Sequence, residues 1–165
     1  MDEFLPCRAP PHLEKISQVV VPVDFGPCSL RAAAFGAHLT RASGGQVMLM
    51  HVLLPGEDAE LAESRLAQLA GWYRRPPVCL MVLAAEEEVS GSILAASQAR
   101  GSQLVMLGLH SGHDPRRLRL GRVTCGVLLG ASVPVQVIPL ATARPERISE
   151  LPDKLLGRWR ELGQR

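Results

Sequence analysis

The stretch from Gln103 to Ala131 constrains this chain more than any other. It reads QLVMLG, then a polar, basic loop LHSGHDPRRLRL, then GRVTCGVLLGA. A short apolar run closed by Gly108 is what a strand buried on both faces requires. After Gly121, the residues Val123, Val127 and Leu128 recur at helical spacing. The stretch is therefore a strand, a glycine-punctuated loop and a helix. In open α/β sheets ligands sit outside the carboxyl ends of the strands, where helix N-termini favour anions. This junction also carries Arg116, Arg117, Arg119 and Arg122, and a binding site is expected here.

The same alternation runs through the rest of the chain. Ile16–Val23 holds the β-branched run QVVVPV, which suits a central parallel strand with Pro22 at its ending residues. Asp24 follows the strand end, and Gly26-Pro27 makes the turn into a helix over 28–43 that Gly44-Gly45 closes. Gln46–Leu54 is a second strand, stopped by Pro55-Gly56. A second helix follows, with Glu57, Asp58 and Glu60 in its first turn, an apolar stripe of Ala62, Leu66, Leu69 and Tyr73, and Pro76-Pro77 at its end. Val78–Leu83 is a third strand, Glu86–Arg100 a third helix closed by Gly101, and Val133–Leu140 a fifth strand. Alternating strands and helices predict an α/β fold with a parallel, doubly wound sheet and helices on both faces.

Two segments at the chain's extremities read differently. Residues 1–15 form a proline-containing lead-in whose opening acids are wrong for a signal peptide. Residues 141–165 read as a linker followed by an amphipathic helix, in which Leu151, Leu155, Leu156, Trp159 and Leu162 share a face. That helix is expected to dock on its own domain or on a dimer mate, or to contact a protein partner.

The residues now support a resemblance. Gly108 and Gly121, at their spacing, resemble the closing signature of the universal stress protein family: Gly, two residues, Gly, nine residues, Gly, then Ser or Thr. Val19–Ala32, VVVPVDFGPCSLRA, is similar to the family's first strand and turn. The resemblance covers residues 16–140. Two signature positions depart: the second glycine falls on Ser111, with Gly112 beside it, and the final Ser/Thr on Arg122, before the matching Val123 and Thr124.

The resemblance implies a five-stranded sheet in the order 3-2-1-4-5, with Asp24 and the Gly108 loop meeting where the strand order reverses. It implies a base and ribose site at Pro22, Val23, Asp24 and Val52, and a phosphate site at Gly108, Ser111, Gly121, Arg122, Val123 and Thr124. It also implies a homodimer formed through the edge strand Val133–Ile138. The expected protein is a dimeric stress-response protein with a degenerate nucleotide site and weak or absent ATP binding. Magnesium would enter only with ATP. The alternatives are an ATP-binding member with slow ATPase activity, and an enzyme of another doubly wound nucleotide-binding family.

Other chemistries find little support. Neither G-x-x-x-x-G-K-[ST] nor G-x-G-x-x-G is present, and no G-x-S-x-G nucleophile elbow occurs. No catalytic residue is assigned. His110, His113 and Asp114 cluster in a loop but lack the further ligand that a metal centre wants. His51 ends an apolar strand and reads as structural. The net charge of +2 is too small to imply nucleic acid, and the arginines carry no interleaved aromatics for stacking. No apolar run is long enough to span a membrane. The four cysteines form no C-x-x-C pair, which reads as free thiols in a reducing cytoplasm.

Overall fold

The computed structural model describes residues 16–84, 88–109 and 120–139. Strands and helices alternate through β1 (Gln18–Pro22), α1 (Pro27–Ser43), β2 (Gln46–Leu53), α2 (Ala59–Ala70), β3 (Val78–Leu83), α3 (Val89–Ala99), β4 (Leu104–Leu109), α4 (Arg122–Gly130) and β5 (Val135–Pro139). The strands form one sheet in the order β3-β2-β1-β4-β5, and every neighbouring pair is parallel. This is the predicted architecture. The order reverses between β1 and β4, which are direct neighbours.

Successive side chains of a strand point to opposite faces, and β1 shows why its run must be apolar throughout. Val19 and Val21 join one core layer, with Ala32 and Ala33 of α1 and Leu66 and Leu69 of α2. Val20 joins the other, with Met48 and Met50 of β2, Ile93 of α3 and Val127 of α4. Helices α1 and α2 thus cover one face, and α3 and α4 the other. All three valines are fully buried, each contributing on the order of 1.5–3 kcal/mol. No helix among the described residues is long and apolar enough to cross a membrane.

Several boundaries differ from the sequence reading for local reasons. Pro22 does end β1, but the strand begins at Gln18 rather than Ile16. Helix α1 takes Pro27 into its first turn and is capped by Gly44 at φ 70°, a conformation glycine adopts without strain. Helix α2 begins only after Asp58, whose side chain accepts the Leu61 N–H. Glu57 is therefore outside that first turn and is bonded instead to Leu54 N–H and His51. Tyr73 lies beyond the helix, yet packs on the core and donates its hydroxyl to Ala33 O at 2.8 Å. Helix α3 runs from Val89 with Glu88 at its N-cap, and the expected start at Glu86 lies outside the described residues. Strand β5 starts at Val135 rather than Val133, and Pro134 still contributes its carbonyl to Val105 N–H.

The stripe predicted for α4 is corrected. Val127 is buried, but Val123 and Leu128 are 38% and 40% exposed, and Thr124 occupies the core-facing position beside Val127. The cause lies in α3. A Cβ on Gly126 would stand 2.5 Å from Ser90 Oγ, and one on Gly130 would stand 2.5 Å from Leu94 Cδ1. These two glycines turn one side of α4 against α3, which sets the rotation of the whole helix.

Candidate functional site

The candidate site residues Pro22, Val23, Asp24, Val52 and Gly108 lie at the carboxyl ends of β1, β2 and β4. Strand β1 ends at Pro22, and the next peptide is still held, because Val23 N–H donates to Met50 O at 2.7 Å. Val23 is buried and Asp24 is exposed. The chain then turns sharply. Phe25 has φ 60°, a left-handed conformation that costs a non-glycine residue roughly 1–3 kcal/mol and persists only where its surroundings hold it.

Two groups hold this turn. On the helix side, Asp24 Oδ1 accepts the Gly26 N–H at 2.9 Å and the Ser29 hydroxyl at 2.5 Å. Ser29 Oγ in turn accepts the Asp24 N–H, with N and O 3.2 Å apart. Asp24 thus braces the entry into α1, while the N-cap position itself belongs to Gly26, which has no side-chain cap. On the sheet side, buried His51 donates from Nδ1 to Val23 O at 2.7 Å. A carbonyl carries no proton, so the ring must supply it. Nε2 lies 3.0 Å from Glu57 Oε1, and the other carboxylate oxygen accepts Leu54 N–H at 3.1 Å. The Phe25 ring stacks on His51 with centroids 4.7 Å apart, and the Arg65 guanidinium lies 5.8 Å from the same ring. Val52, the residue after His51, is buried in β2.

Across the strand-order reversal stands Gly108 in β4. A Cβ built there would meet the Cys28 carbonyl group and come within 2.5 Å of Ser29 N. Gly108 therefore lets the first turn of α1 rest directly on the strand. Through Ser29, whose hydroxyl donates to Asp24 Oδ1, that contact links Gly108 to Asp24 across the reversal point.

Gly121 behaves in the opposite way. It precedes α4 with φ −66° and ψ 161°, which any residue can adopt, and among the described residues a Cβ there would meet nothing within 4 Å. Arg122 and Val123 are exposed beside it, whereas Thr124 is buried. Ser111 lies outside the described residues, as do His110, His113, Asp114, Arg116, Arg117 and Arg119. Among the described residues no group of three or more His, Cys, Asp or Glu side chains converges as a metal site.

The sequence reading missed the roles of Ser29, Phe25 and Glu57. A signal existed for each: Ser29 five residues after Asp24, a bulky residue before Gly-Pro, and Glu57 six residues after His51 across a Pro-Gly turn. None of these spacings has meaning until the turns bring the residues together.

Comparison with known proteins decides the family. The sequence model of the Universal stress protein family matches residues 15–139. The chain belongs to the universal stress protein family. Solved universal stress proteins share its fold. The structure of "Universal stress protein UspA from Lactobacillus plantarum" superposes with a TM-score of 0.60 at 14% identity, covering 75% of this chain and 98% of that one. A universal stress protein "in complex with cAMP" gives 0.58 at 16% identity, covering 74% and 95%. The protein from Archaeoglobus fulgidus "in complex with dAMP" gives 0.57 at 23% identity, covering 74% and 97%. No protein of curated description is similar enough to count as a match. Within this universal stress protein fold, Asp24 and Gly108 stand at the reversal point where an open α/β sheet offers its ligand crevice.

Proposed function

We propose that this universal stress protein is a dimeric stress-response protein of the cytoplasm whose nucleotide site keeps its base and ribose end and has an altered phosphate end. The observation that carries this reading is the contrast between Asp24 and Arg122. Asp24 is braced at the carboxyl end of β1 by Gly26 and Ser29, as a ligand contact should be. Arg122 stands exposed in the first turn of α4, where the family signature has a small hydroxyl residue. A long cation there can pair with one phosphate oxygen, but a triphosphate needs several inward backbone N–H groups on an unobstructed loop. Ser111 in place of a glycine removes part of that freedom.

Nucleotides fit the crevice as a class. Among the described residues nothing crowds a Cβ at Gly121, at the start of α4, and two structural neighbours are complexes with cAMP and dAMP. The same contrast favours weak or absent ATP binding, with magnesium entering only alongside ATP and hydrolysis slow if it occurs. Dimerisation is supported by the position of β5 at the sheet edge, since an unpaired apolar edge invites a second chain. The C-terminal segment 141–165 is a further candidate contact for a protein partner. The thiols of Cys79 and Cys125, which are in no disulfide, suit a reducing compartment. A calorimetric titration with ATP and magnesium tests the reading. Micromolar or weaker affinity is expected, and a sub-micromolar dissociation constant would overturn it.

A further inference from the structure

His51 belongs to none of the positions expected to touch a ligand, yet both ends of the crevice's base-side wall hang on it. We propose that His51 is a positioning residue for the ligand crevice: its Nδ1–H fixes the Val23 carbonyl, and with it the Val23–Phe25 turn that presents Asp24. The ligand in this inference rests on the nucleotide reading above; the geometry does not.

The argument starts from the backbone. Strand β1 has ended at Pro22, and Phe25 sits at φ 60°. A turn of that kind drifts unless it is held on both sides. Downstream, Gly26 N–H and the Ser29 hydroxyl hold the Asp24 carboxylate. Upstream, the Val23 carbonyl is held by a side chain, His51 Nδ1, at 2.7 Å. The same imidazole also carries the Phe25 ring, so one side chain grips the turn at two points. The ring is itself immobilised, because Glu57 binds Nε2 with one oxygen and Leu54 N–H with the other. One imidazole and one carboxylate therefore tie the end of β1 to the end of β2 and to the loop before α2. Val52, the other expected base contact, is the next residue along β2. A binding site needs its contact groups held to about 0.5 Å, and this pair supplies the linkage between its two walls.

The two ring nitrogens can be separated by substitution. Asn places its amide nitrogen close to the position of Nδ1, and Gln places its own close to Nε2. Each of His51→Asn and His51→Gln loses one of the two hydrogen bonds, so both are expected to lower unfolding stability by similar amounts. Only His51→Gln releases Val23. With AMP as the probe, His51→Asn is expected to keep affinity within about threefold, and His51→Gln to weaken it by at least about tenfold. The second readout uses no ligand: both variants lose the ring under Phe25, so the Val23 carbonyl carbon and Asp24 amide resonances should shift clearly further in His51→Gln, which also loses the bond to Val23 O, than in His51→Asn. Equal behaviour of the two variants in these resonances overturns the inference. So does equal AMP affinity of the two variants when the wild type binds. If the wild type binds no AMP, the nucleotide reading fails, and the resonances alone decide the positioning role. Should His51→Gln not fold, the wild-type protein decides: a scalar coupling across the hydrogen bond from His51 Nδ1–H to the Val23 carbonyl is expected, and its absence overturns the proposal.

Discussion

Gly108 and Cys28 touch backbone to backbone: a Cβ on residue 108 would run into the Cys28 carbonyl group and come within 2.5 Å of Ser29 N. The neighbour is main chain at the start of a helix and cannot rotate aside. Gly108→Ala should therefore lift α1 from β4, and with it Ser29, which braces Asp24. A loss of about 1–3 kcal/mol is expected from the overpacking, seen as a lower urea midpoint at an unchanged slope. Full stability in this variant would mean that the helix start can slide without cost.

Gly121→Ala makes the opposite prediction. The backbone there is extended and, among the described residues, a Cβ meets nothing within 4 Å. Stability should change by no more than about 0.5 kcal/mol. Any weakening of nucleotide binding would then reflect crowding of the ligand rather than damage to the fold. A large drop in the urea midpoint would contradict this.

The phosphate end can be restored on the same logic. The double change Ser111→Gly and Arg122→Ser returns both departures to the family signature. ATP affinity by calorimetry should rise by at least about tenfold, or ~1.4 kcal/mol. If it does not rise, these two residues are not what limits the site.

The expected dimer depends on main-chain groups of β5. In a parallel ladder alternate residues bond alternate neighbours. Pro134 O accepts from Val105 N–H, so Val135 and Val137 direct their backbone groups to the free edge. Val137→Pro removes one edge donor without taking a bond from β4. Light scattering at micromolar concentration should give a dimer mass for the wild type and a monomer mass for the variant. A wild-type monomer would sink the idea.

Tyr73 predicts a loss of stability in alkali. Burial, and secondarily the charge of Cys79, pushes its phenol above the ordinary value. Between about pH 10 and the higher folded-state value, the unfolded chain releases this proton and the folded chain keeps it. The folded state then binds more protons, so stability falls as pH rises, by up to about 1.4 kcal/mol per unit. Below about pH 10 the contribution is fully present. Tyr73 is the sole tyrosine, so phenolate absorbance reports on it alone and should appear together with unfolding. Tyr73→Phe should lower stability at neutral pH by about 0.5–1.5 kcal/mol, through the bond lost to Ala33 O, and flatten the alkaline decline.

The layered fold was legible in the sequence because it rests on local signals. The apolar run at Val19–Val21, the glycines and prolines that punctuate the elements, and the strand–helix alternation each act over a few residues. They were enough for a parallel doubly wound sheet, and the family signature then supplied the strand order. Element ends were read less well, since Glu57 and Asp58 were expected inside the first turn of α2, whereas Asp58 caps it and Glu57 is drawn away to His51. The rotation of α4 was not legible either. Whether Val123 or Thr124 faces the core depends on Gly126 and Gly130 meeting α3, a contact between separate segments. The same holds for the site. Asp24 and Gly108 could be named from their positions at strand ends, but their connection runs through Ser29 and the Cys28 peptide. The imidazole that holds Val23 comes from 28 residues further along the chain. Hydrophobic periodicity records which way each segment faces. It does not record which side chain of one segment will reach the backbone of another, because that distance is set only when the sheet pairs and the helices pack.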